Sequence, residues 1–139
     1  MGTASNSSQH SNAPSMPVRA GVAIVLGVLV NVGIVLGATS LGVAPGFRPL
    51  SVPPVAIFSA VGAVGAVVVY QGFRRYVDRA DYYFVRVAAV VLVLSFLPDV
   101  GLLFGDPAAT VPGVVVLMLM HVVVATASVW ALVYWTRSE

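Results

Sequence analysis

A chain of 139 residues that is 59% hydrophobic and only 9% charged, with mean hydropathy +0.98, is too apolar for a water-soluble globular domain. Such domains are about 45–50% apolar and about 25% charged, so the excess apolar surface here must face lipid. The absence of cysteine excludes disulfides, thiolate metal sites and cysteine nucleophiles together, and a net charge of +2 with every basic residue an arginine gives nucleic-acid binding no support.

The first segment, Met1–Pro17, is built of Ser, Asn, Gln, Thr and Pro without a charged side chain. It buries too little to offset its ordering entropy and reads as a disordered polar tail. Residues 18–137 then read as one transmembrane domain. Crossing a hydrocarbon core of about 30 Å takes roughly 20 apolar residues in a helix. Four stretches qualify: Ala20–Leu41, Val52–Phe73, Phe84–Phe104 and Pro112–Trp135. Runs such as Val114–Leu119 are apolar throughout, which excludes the alternating strands of a membrane β-barrel. The first apolar run is longer than a signal peptide's core of about 7–15 residues, so an uncleaved anchor is expected despite the small residues Ala38-Thr39-Ser40. The predicted fold is an all-α, integral membrane four-helix bundle.

Orientation follows from arginine. Arg74, Arg75, Arg79 and Arg86 surround the loop between spans two and three, Arg19 precedes span one and Arg137 follows span four. Only Arg48 lies on the opposite side. Cytoplasmic loops are enriched in basic residues, so both termini and the central loop are expected inside, with Arg74, Arg75, Arg79 and Arg86 against anionic headgroups. Tyr70, Phe73, Tyr76, Tyr82, Tyr83, Trp130, Tyr134 and Trp135 gather at the same boundary, where amphipathic rings favour the headgroup level. Phe47 and Phe104 lie near the outer one.

Three strongly polar residues interrupt the spans: Asn31, Asp99 and His121. At 1.5 Å rise per residue, Asp99 lies about 8 Å and His121 about 3 Å outward of the midplane, with Asn31 close to it. An ionised Asp facing lipid costs about 2.5–3.5 kcal/mol, so Asp99 is expected to point inward and find a partner. His121 is the natural one, and Arg48 at the outer mouth is a second. The four form a candidate intramembrane polar cluster that either lines a proton route or fastens helix to helix. Pro98 cannot donate to the carbonyl of Leu94, so span three is expected to kink there. Small residues mark the expected packing faces: Gly33 and Gly37 in span one, Gly62 and Ala66 in span two, Ala125 and Ser128 in span four.

The Arg-rich loop Phe73–Arg79, the string Ser95-Phe96-Leu97-Pro98-Asp99 and Met120-His121 in the last span, together with the length, carry a resemblance. From Arg19 to Trp135 the chain is similar to a family of uncharacterised small four-span membrane proteins of high-GC bacteria and halophilic archaea, domain of unknown function family 6069. The resemblance implies a topology and no activity.

No phosphate loop, dinucleotide fingerprint, metal-ligand spacing or catalytic triad is present in the sequence, so no catalytic residue, metal or cofactor is expected. The leading expectation is a non-enzymatic structural or accessory component of the cell membrane, in contact with lipid and with a second copy or another membrane protein. The alternative is a small oligomeric transporter or channel subunit moving protons or a small solute past Asp99, His121 and Asn31. An intramembrane enzyme acting on a lipid or quinone would have His121 with Asp99 as its only dyad.

Overall fold

The computed structural model describes residues 13–135. These form four helices, α1 (Met16–Ser40), α2 (Val52–Tyr76), α3 (Ala80–Gly105) and α4 (Val111–Val129), and α4 runs on into a π-helical turn at Trp130–Tyr134. Among the described residues there is no strand. With the π turn counted into α4, all four helices are long and apolar enough to cross a membrane.

The helix ends carry ordinary stop and start signals. Pro17, Pro53 and Pro112 stand in the first turns of α1, α2 and α4, where a missing N–H costs nothing. The Thr110 hydroxyl accepts from the Gly113 N–H at 3.2 Å and caps α4. α1 ends in a Schellman turn: Val43 N–H donates to Ala38 O and Gly42 N–H to Thr39 O, with Gly42 at φ 71°.

Several boundaries differ from the sequence reading. α1 begins at Met16, so the end of the expected tail is helical, while residues 1–12 lie outside the described residues. The expected loop at 74–83 shrinks to Val77, Asp78 and Arg79, because α2 and α3 continue past their apolar cores. Arg, Tyr and Ala are compatible with helix wherever the backbone can bond to itself. The far end of span three agrees with the reading, since α3 continues past Pro98 for seven residues to Gly105. The Ser95 hydroxyl donates to Leu92 O at 2.6 Å, one turn before Pro98.

Each helix buries a narrow stripe. In α1 it is Arg19, Ala23, Gly27, Asn31, Val35 and Ala38; in α2 it is Val55, Ser59, Ala63, Val67 and Tyr70. The four-residue step keeps each set on one face. α3 buries only Phe84 and Asp99. The exposed faces are apolar instead, with Leu29, Phe58, Val93, Leu97 and Phe104 all more than half uncovered. α1 packs against α2 and α4, and α3 against α4 and α2; α1 and α3 share almost no contact.

Two apolar clusters sit at opposite ends. Near the α2–α3 hairpin, Val67, Tyr70, Phe84, Leu132 and Val133 pack together. At the far end the α1–α2 loop folds inward, and Ala44, Phe47 and Leu50 join Val35, Val55, Val114 and Leu117. Phe47, expected at a headgroup boundary, is instead 3% exposed. The loop needs left-handed backbone at Gly42, Ala44 and Gly46 to make this turn.

Candidate functional site

Polar side chains meet between the helices at three levels. The first lies where α3 touches α4. Asp99, buried at the end of its turn, places Oδ2 3.1 Å from Nδ1 of His121. The same nitrogen lies 3.0 Å from Leu117 O, one turn back along α4. Oδ2 has no well-directed donor, so the Asp99 contact is a close polar pairing off the N–H axis, while the ring hydrogen-bonds its own helix. This arrangement keeps His121 pointed at α3.

The second level holds α1, α2 and α4 together. Asn31, 1% exposed, donates from Nδ2 to Ser59 Oγ at 2.8 Å and to Met120 O at 3.1 Å. Its Oδ1 is buried without a hydrogen-bond partner among the described residues. Met120 and His121 are consecutive, so α4 is gripped at one level from two sides, by Asn31 through the backbone and by Asp99 through the side chain.

The third level, near the hairpin, joins all four helices. Arg19 in α1 is 5% exposed and donates from Nε to Ala131 O at 3.1 Å and from Nη2 to the Tyr70 hydroxyl at 3.4 Å. Tyr70 in α2 in turn donates to Asp81 Oδ1 in α3 at 2.8 Å. Its ring carries the Arg19 guanidinium at 5.7 Å and packs on Phe84 at 5.0 Å. Ala131 lies in the π turn, where Trp135 N–H bonds to Trp130 O, five residues back. That shift takes the turn out of α-helical register, and the Ala131 carbonyl faces Arg19.

Between the second and third levels the helices meet on Val124. Val124 lies where α1 and α2 approach α4, 3.6 Å and 3.4 Å from where a Cβ on Gly27 and on Gly62 would stand. Ser128, one turn beyond, is buried, and its hydroxyl has no hydrogen-bond partner among the described residues.

The structure thus brings Asp99 to His121 but separates them from the other two members of the predicted cluster. Asn31 faces Ser59, and Arg48 is exposed at the far end with no ion pair among the described residues. Arg48 is the one charged side chain lining a shallow cavity of about 490 Å³ there, beside Thr39, Val43, Pro45 and Phe47. The reason is rotational: the loop that carries Arg48 turns Phe47 and Leu50 inward and leaves Arg48 outward.

Gly33 and Gly37 are a correction. Both are exposed, with open space where a Cβ would stand. Gly33 is about 200° around the helix from the buried Asn31, so close approach runs through Gly27 instead. Gly62, Ala66 and Ala125 border the interior and Ser128 lies within it. Arg74, Arg75, Arg79 and Arg86 are exposed, with Arg86 stacked on the Tyr82 ring at 4.2 Å.

The contacts of the third level were not anticipated on sequence grounds, where Arg19 served orientation and Tyr70 stood at the inner boundary. A signal existed. Arg19 is one four-residue step before Ala23, Gly27 and Asn31, on the same stripe. Among the described residues no group of three or more His, Asp or Glu could hold a metal ion.

The model of a family of unknown function (DUF6069) matches residues 11–138. No curated protein and no solved structure matches the chain.

Proposed function

The chain belongs to this family of unknown function, and with no activity to inherit from it we propose a multi-pass protein of the cell membrane that serves as a non-enzymatic structural or accessory component. One observation carries the reading. Among the described residues five polar or charged side chains are buried, and Arg19, Asn31, Ser59 and Asp99 each make a polar contact with another helix, whereas the Ser128 hydroxyl makes none. Polar groups spent on fastening helices are the glue of membrane bundles. The apolar faces left outside suit lipid.

The distribution of arginine supports an orientation with both termini and the α2–α3 hairpin in the cytoplasm. The chain contains no cysteine, so single cysteines report topology cleanly. Arg48→Cys is expected to react with an impermeant maleimide on intact cells, and Arg79→Cys only after permeabilisation. The reverse pattern overturns the orientation, and release of the protein by alkaline carbonate overturns the membrane reading itself.

A second reading, a small transporter or channel subunit, is favoured by one feature: 41% of the His121 side chain is uncovered. Val124, wedged at Gly27 and Gly62, stands against a route through a single copy.

A further inference from the structure

The imidazole of His121 is incompletely housed. Nδ1 is engaged by Leu117 O and Asp99, whereas Nε2 has no hydrogen-bond partner among the described residues. The side chain is 41% uncovered, and its neighbours on the same side of α4, Met118, Val122 and Ala125, are only half-buried. His121 stands within two residues of the centre of the Val111–Tyr134 span. If that span crosses a bilayer, Nε2 opens onto hydrocarbon, which offers it neither donor nor acceptor.

Whatever covers Nε2 must bring a polar atom to mid-bilayer depth. Headgroups are about 15 Å away, half the thickness of the core. A second copy related by a two-fold axis along the membrane normal meets the requirement by symmetry, because equal residues then lie at equal depth. The group is also self-complementary. With Nδ1–H donating to Leu117 O, Nε2 accepts; in the other tautomer, with Nδ1 accepting from a protonated Asp99, Nε2–H donates, so two His121 rings in opposite tautomers can satisfy each other. Only apolar or small side chains flank it on α4, so nothing nearby obstructs close approach.

We infer that two copies of the chain associate through the α3–α4 face centred on His121, each covering the other's imidazole. The inference rests on the membrane reading above and commits the contact to this face, not to the open Gly33 and Gly37 face of α1.

Disulfide trapping in native membranes tests it. Met118→Cys and Ala125→Cys, one turn to either side of His121, are expected to form dimers under mild oxidation, and Gly37→Cys is not. Adding His121→Leu to Ala125→Cys is expected to lower the trapped dimer about three- to tenfold, the worth of one polar contact between helices, and His121→Gln is expected to restore part of it. Trapping through Gly37→Cys, adducts of Ala125→Cys with another protein, or a single bleaching step per particle in native nanodiscs would each overturn the inference. Alkaline carbonate extraction on the same membranes separates that result from failure of the membrane reading, since a monomeric chain would still resist it.

Discussion

Replacing Arg19 by alanine is expected to destabilise the fold by about 1.5–3 kcal/mol, the range for a buried hydrogen bond made by a charged group. Among the described residues Arg19 alone has a side chain that ties α1 to both α2 and the π turn ending α4 at the hairpin end, through Tyr70 and Ala131 O. Truncation leaves the Ala131 carbonyl without this donor and Tyr70 with Asp81 alone. Two-state unfolding in mixed micelles measures the loss. Arg19→Lys separates this account from a purely topological one. A lysine keeps the charge but cannot fork between the two acceptors, so it is expected to fall between wild type and alanine. If Arg19 served only orientation, the lysine variant would be as stable as wild type.

Alanine at Gly113 is expected to cost about 1–3 kcal/mol, the usual penalty for overpacking a tight core. A Cβ there would stand 2.7 Å from Ala44 Cβ, 3.1 Å from Thr110 Oγ1 and 3.3 Å from Phe47 Cδ1. None is the far end of a flexible chain. Ala44 is itself held at φ 50° by the loop, so it has little freedom to retreat. Gly33→Ala and Gly37→Ala, by contrast, meet open space and should change stability by no more than about 0.5 kcal/mol. The same unfolding measurement ranks all three, and an equal cost at Gly33 would contradict the packing described here.

These two experiments mark where the sequence was legible and where it was not. Four long apolar helices could be read directly, because runs of about 20 apolar residues have no other use. The Asp99 and His121 pairing could be anticipated because an intramembrane acid needs a partner. The packing face of α1 could not be chosen from spacing alone, since Gly27 with Asn31 and Gly33 with Gly37 have the same four-residue step. The partner helices decide between them. Arg19 was hidden by its position, for an arginine at a span's end satisfies the orientation rule whether it faces water or the interior. Gly113 and Phe47 were hidden by the loop, whose inward fold depends on a left-handed turn at Ala44 that the sequence does not announce.

The π turn at Trp130–Tyr134 belongs to the same class. Nothing in the composition of Trp-Ala-Leu-Val-Tyr distinguishes it from ordinary helix. Its reason is tertiary, in that the Ala131 carbonyl it presents takes the Arg19 guanidinium. In Arg19→Ala, this turn has lost the contact that accounts for it.

In the proposed role the buried polar groups fasten helices and do not conduct. The direct test is proton flux into liposomes carrying the purified protein and a trapped pH dye, with an imposed gradient. Flux is expected at the level of protein-free liposomes, unchanged by Asp99→Asn. Flux well above that level which Asp99→Asn abolishes would contradict the proposed role and make the Asp99 and His121 pair part of a transport mechanism.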